Sequence, residues 1–131
     1  MRRLFLAALA VLLSLLAGCQ RLNFEKEATL DAKNDPLLFS IEGAQSESKI
    51  NIKVDSDKPV NVWVILEDDK ETALTEVLNK KRPARAHAGE ENKEKIELDT
   101  TIPAKKSIDV VVSQAKGTSG KAKVTLTIKG K

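Results

Sequence analysis

The 131-residue chain carries 22 basic against 19 acidic residues, a net charge of +3, and is 41% hydrophobic and 31% charged. That balance excludes a disordered polyelectrolyte and a multi-span membrane protein, and the length allows one domain. A single cysteine excludes an internal disulfide framework, and a single histidine, His87, leaves a histidine-based metal site or catalytic triad hard to assemble.

The first element is a leader. Arg2 and Arg3 precede an apolar run from Leu4 to Leu16 broken only by Ser14, and Ala17 and Gly18 follow. Positive charge, a short apolar run and small residues form the layout of a secretory signal peptide; a spanning helix needs roughly 20 apolar residues. The run ends in Leu16-Ala17-Gly18-Cys19, which resembles the bacterial lipoprotein box and contains the chain's one cysteine. The resemblance implies cleavage before Cys19, a diacylglyceryl thioether on its sulfur, usually an acylated amino group, and attachment to a lipid bilayer. Two or three acyl chains make such attachment stable, at about 0.8 kcal/mol per buried methylene. Residue 20 is Gln rather than Asp, which in the enteric bacterial pattern implies transfer to the outer membrane. Loss of residues 1–18 takes the basic count to 20 against 19 acids. The high isoelectric point therefore belongs mostly to the leader, and a nucleic-acid role built on overall charge fails. Only Phe24, Phe39 and Trp63 remain as aromatics, too few for base stacking.

Residues 19–23 form a lipidated tether and 24–131 a single domain. Period-two alternation marks seven short strands: Phe24 to Leu30, Leu37 to Ile41, Ile50 to Val54, Val60 to Leu66, Ile96 to Ile102, Ile108 to Val112, and Ala122 to Ile128. Breakers separate them at Asn34-Asp35-Pro36, Glu42-Gly43, Asp55 to Pro59, Pro103 to Lys106 and Gly117 to Gly120. Short strands with one apolar face call for two packed antiparallel sheets, so the fold class is mainly β, an antiparallel sandwich of about seven strands.

One stretch breaks the period. Ala73, Leu74, Val77 and Leu78 form a helical stripe. Asp68 or Asp69 is suited to cap its start, Lys80, Lys81 and Arg82 suit its negative end, and Pro83 stops it. The expectation is one inserted helix over about 69–81, followed by a mobile loop over 82–93. Trp63 and Ile65 point away from the Val62/Val64 face. Either the helix covers them or they form an exposed partner contact.

No constellation points to catalysis: His87 lies in the polar loop, no Ser sits in a Gly-x-Ser-x-Gly elbow, and Cys19 is consumed by lipidation. The acid groups Asp55-Ser56-Asp57 and Glu67-Asp68-Asp69 lack the spacing of a calcium loop and read as a turn and a helix start. No enzyme, metal or cofactor is expected. The basic cluster Lys80, Lys81, Arg82 and Arg85 sits a short tether from the anchor. It is a candidate contact with acidic lipid or polysaccharide, set against plain helix-end charge complementarity.

Two segments, Lys58-Pro59-Val60-Asn61-Val62-Trp63-Val64 and Ile102 to Val112 with Lys121 to Lys129, resemble secreted β-sandwich modules of the pre-peptidase C-terminal type. Those modules close with an apolar-Pro-Ala-Gly turn, a strand, a Gly-rich turn and a final strand. Here Lys105 stands where glycine is usual. The resemblance implies a non-catalytic accessory or binding domain. The chain reads as a membrane-anchored envelope lipoprotein with a binding or structural sandwich, whose partners are the bilayer and another envelope protein or a polysaccharide. The alternative is a periplasmic or surface ligand-binding or inhibitory module acting through its loops.

Overall fold

Apolar residues at alternate positions pair into antiparallel strands, and where two such stretches adjoin they fuse. In a computed structural model, which describes residues 22–31 and 35–130, the order is β1 (Asn23–Leu30), β2 (Leu37–Ile41), β3 (Ser48–Leu66), a 3-10 turn (Glu67–Asp69), helix α1 (Lys70–Leu78), β4 (Ala88–Ile102), β5 (Ile108–Gln114) and β6 (Ala122–Gly130). The leader, Cys19 and the tether up to residue 21 lie outside the described residues. The fold class is as expected, mainly β, but with six strands. The stretches at 50–54 and 60–66 are halves of the single 19-residue β3.

The sheet order is β1-β6-β3-β5-β2, with β4 on the other side of β3. The first half of β3 pairs with β6 through Ile50↔Gly130 to Ser56↔Val124, and the second half with β5 through Val60↔Gln114 to Leu66↔Ile108. β4 follows β3 through both halves. Each half of the β3–β4 pair thus belongs to one layer, and the pair bends between them. At the bend, residues 56–59 of β3 stand opposite Glu94 alone, and the register shifts again between Val60 and Val62. This is a bulged crossing from one sheet to the other.

Asp55 to Pro59 therefore turn the strand without ending it. Pro59 cannot donate to a ladder, which restricts it to such a site. Partners from other loops hold the bend: the Lys123 amide donates to Asp57 Oδ1 (2.9 Å), Lys58 Nζ to the Ser119 carbonyl (2.7 Å), and the Ala115 amide to the Pro59 carbonyl (3.1 Å).

The inner faces enclose one aliphatic core containing Ile50, Ile52 and Val54 from one layer and Val60, Val62, Val64, Val110 and Val112 from the other. The layers also meet at their outermost strands, where Phe24 of β1 stacks on Phe39 of β2 with centroids 3.9 Å apart. A second, smaller core lies outside the β3–β5 layer, where Trp63, Ile65 and Val111 pack under Ala73 and Val77 of α1. The helix is the second cover that a strand apolar on both faces needs.

Two helix expectations change. Asp69 occupies the N-cap position without a side-chain capping bond. Its carboxylate faces Arg85 (3.5 Å), and that of Asp68 faces Lys106 (2.9 Å). The helix ends at Leu78, before the basic run, and Leu78 is 63% exposed instead of joining the buried stripe. The stop is a Schellman cap: the Lys80 amide donates to the Val77 carbonyl (2.9 Å) and the Lys81 amide to the Glu76 carbonyl (2.8 Å), with Lys80 at φ 58°.

The loop expected over 82–93 is also shorter. β4 begins at Ala88, and Ala88, Gly89 and Glu90 pair with Val64, Trp63 and Val62. Backbone pairing needs no apolar side chain, so periodicity carries no signal of it. Gly89 is required there, because a Cβ would lie 2.3 Å from Trp63 Cε3.

Candidate functional site

The Schellman cap decides where the basic residues go. With Lys80 in the left-handed region the chain reverses, and Lys80, Lys81 and Arg82 turn toward the bend of β3. There a cavity of about 450 Å3 opens, lined by these three together with Lys116 and Ala115 after β5, Asn61 and Trp63 of β3, and Glu91 and Asn92 of β4. Asn92 is the bulge residue, at φ 58°, and its amide donates to Asn61 Oδ1 (2.8 Å). This bond fixes the two strands that wall the site.

The four cations differ in availability. Lys80 is engaged: its Nζ donates to Asp35 Oδ2 (2.9 Å) and to the Gln114 carbonyl (3.4 Å). The Gln114 amide donates to the same Asp35 oxygen (3.3 Å), and its side chain donates to the carbonyls of Leu30 (3.1 Å) and Gly120 (2.9 Å). This network ties the end of β1, the end of α1 and the β5–β6 turn together behind the pocket. Arg82 lies 5.8 Å from the Trp63 ring centroid, within cation–π range, and 3.7 Å from Glu91 in an exposed pair. Such pairs contribute about 0 to 1 kcal/mol and are readily exchanged. Lys81 and Lys116 have no acidic partner among the described residues.

The sequence-derived candidates are thus divided. Lys80, Lys81 and Arg82 share one pocket, whereas Arg85 turns away to Asp69. Trp63 and Ile65 are 2% and 0% exposed beneath α1, so they form no open aliphatic surface; Trp63 lines the pocket as a nearly inaccessible wall. Cys19 lies outside the described residues. Lys116, Asn61 and Asn92 were not legible as site residues, because the bulge and the β5–β6 turn bring them in from separate parts of the chain.

Several titratable groups outside the pocket have structural partners. His87 Nε2 donates to the Thr101 carbonyl (2.7 Å). Asp109, 5% exposed under the start of α1, accepts from the Ser40 hydroxyl and faces Lys70 (3.6 Å). The Ser56 hydroxyl accepts from the Lys58 amide (3.2 Å) and Asp57 from Lys123, so this acidic segment serves the bend. Glu97 and Asp99 both accept from the Asn51 amide group (3.1 and 2.9 Å) on an exposed strand face. The hydrogen bond to Asp68, and then its charge, raise the Lys106 ammonium above the usual lysine range. Among the described residues no group of three His, Cys, Asp or Glu side chains is placed to hold a metal ion, and no helix is long and apolar enough to cross a membrane.

No family model and no curated protein matches the sequence. Solved structures do resemble it. The pre-peptidase C-terminal domain of a Bacillus anthracis collagenase superposes with a TM-score of 0.60 at 16% identity, over 82% of this chain and 89% of that one. Aeromonas hydrophila PliG, a periplasmic inhibitor of g-type lysozyme, superposes with a TM-score of 0.58 at 10% identity, over 85% of this chain and 86% of that one. The likeness is one of fold. As a likeness of fold it bears out the similarity to pre-peptidase C-terminal modules seen in the sequence, and extends it over most of the domain.

Proposed function

We propose that this is a lipid-anchored envelope protein whose sandwich is a non-catalytic binding module, held at one end through acylated Cys19 and binding through the pocket at the other. The observation that carries the reading is the separation of those two ends. Asn23, at the head of β1, pairs with Lys129, which pairs with Asn51. β1 then runs to Leu30, about 23 Å away in an extended strand, where Gln114 binds it beside the pocket-lining Ala115 and Lys116. A body attached just before Asn23 turns its pocket away from the bilayer. Acidic headgroups of the anchoring membrane are then the wrong partner for Lys81 and Arg82, and a component of the surrounding envelope is the right one.

Three further points support the reading. The lipoprotein-type leader supplies the anchor. The titratable side chains near the pocket are cations and one ion-paired acid, which bind charge but do not form an acid–base pair. A periplasmic lysozyme inhibitor and the pre-peptidase C-terminal domain of a collagenase have a similar fold. Gln20 directs the anchor to the outer membrane where the source has two membranes.

Mass spectrometry of the N-terminal peptide from the native envelope tests the anchor. The expected peptide begins at an acylated Cys19, and Cys19→Ala should leave the chain unacylated with its leader uncut. A bare thiol, or an N-terminus elsewhere, overturns it. The likeness to PliG favours inhibition as the second reading, and a g-type lysozyme activity assay with the purified protein decides it.

A further inference from the structure

We infer that the pocket at the bend of β3 is a binding site for an anionic saccharide, a sugar unit carrying carboxylate or phosphate. The inference rests on the reading of the domain as a binding module and names what it binds.

The first argument is that helix chemistry does not account for the charge. Cations after α1 are favoured by the helix dipole, and that suffices for Lys80, Lys81 and Arg82 taken alone. Lys116 follows β5 and owes nothing to the helix, yet it lines the same cavity. Two separate elements therefore deliver positive charge to one concave site. Only Glu91 answers it among the lining residues, through a 3.7 Å pair whose partners are 72% and 47% exposed. An arriving oxyanion has Lys81 and Lys116 free to meet it and displaces Glu91 from Arg82 at little cost.

Size and the other walls narrow the class. About 450 Å3 is far more than a lone inorganic oxyanion fills and suits a body of one to three sugar rings. Asn61 and Asn92 bring amide groups, which both donate and accept, beside the cations. Asn61 keeps its Nδ2 donors because its oxygen is already occupied by the Asn92 amide. Hydroxyls flanking a charged group match that arrangement. The buried Trp63 and the Arg82 guanidinium near its ring make binding visible, since the indole is the only one in the chain.

The test is a titration of the purified mature protein in nonionic detergent, followed by Trp63 fluorescence and calorimetry. The probes are trigalacturonate, glucose 1-phosphate, neutral maltotriose, inorganic phosphate and anionic lipid in mixed micelles of the same detergent. The two anionic sugars are expected to bind saturably, at least tenfold more tightly than maltotriose or inorganic phosphate, and more weakly as salt rises. The double variant Lys81→Ala/Lys116→Ala should lose binding at least fivefold while its unfolding curve stays at the parent's position. Lys26→Ala/Lys129→Ala, equal in charge but on the β1–β6 face, should bind like the parent. Equal loss in both double variants, binding of phosphate alone as tight as the sugars, or binding confined to the lipid micelles each overturns the inference. The N-terminal peptide is read separately, so failure here leaves the anchor reading standing or falling on its own.

Discussion

Lys105 sits at φ 61° in the turn that joins β4 to β5, a conformation that disfavours a residue with a Cβ. The turn holds it there, because the Lys105 amide donates to the Ala44 carbonyl (2.7 Å) and the Lys106 amide to the Pro103 carbonyl (3.2 Å). This is the position at which modules of the resembled type carry glycine. Relief of left-handed strain outweighs the added freedom of an unfolded glycine, so Lys105→Gly should raise the unfolding free energy by about 0.5 kcal/mol. Lys105→Val, with a β-branched side chain, should lower it by roughly 1 to 2 kcal/mol. Urea denaturation of the two variants checks the opposite signs. Lys80, also left-handed, differs because its side chain reaches Asp35 and its backbone closes the helix, so conformation and contact are bound together at that residue.

Helix α1 is short and acts as a lid, placing Ala73 and Val77 on Trp63, Ile65 and Val111. Its stability comes from that contact more than from its own nine residues, since isolated helices of this length are marginal. Ala73→Asp would set a carboxylate against the indole and should destabilise the fold by roughly 2 to 4 kcal/mol. Trp63 should then become open to acrylamide quenching, whereas an unchanged quenching constant would mean that the lid does not depend on this contact. The helix was legible in the stripe from Ala73 to Val77, and its covering role was one of the two readings that the two-faced strand at Val62 to Ile65 left open. The start of β4 was not. Ala88 to Lys93 carry no alternation, and their place in the sheet comes from backbone pairing. The pocket was half legible for the same reason: Lys80 to Arg82 are adjacent in sequence, but Asn61, Asn92 and Lys116 meet them only through a bulge that no local pattern encodes.

Across the whole molecule the decisive element is the bent β3–β4 pair, which belongs to both layers. Asp55 to Pro59 carry every local mark of a turn, and the strand continues through them because bonds from Ala115, Ser119 and Lys123 hold the bend. A shared element couples the two halves of the core. Ile52→Ala in one layer, at a site with 0% exposure, should cost about 2 to 5 kcal/mol and shift one cooperative transition. The Trp63 signal from the other layer should move with the far-ultraviolet circular dichroism. Separate midpoints for the two probes would show that the layers unfold independently.

The eight-residue register between β1 and β6, from Asn23↔Lys129 to Leu30↔Ala122, has a mechanical corollary. If the tether pulls at Asn23 while a ligand grips near Lys116, the load runs along β1 and not across it. All eight rungs then resist sliding together, where a pull across the strand would open them one by one. Drag on a ligand so held would meet a sheared ladder, the sturdier of the two ways in which a strand can be loaded.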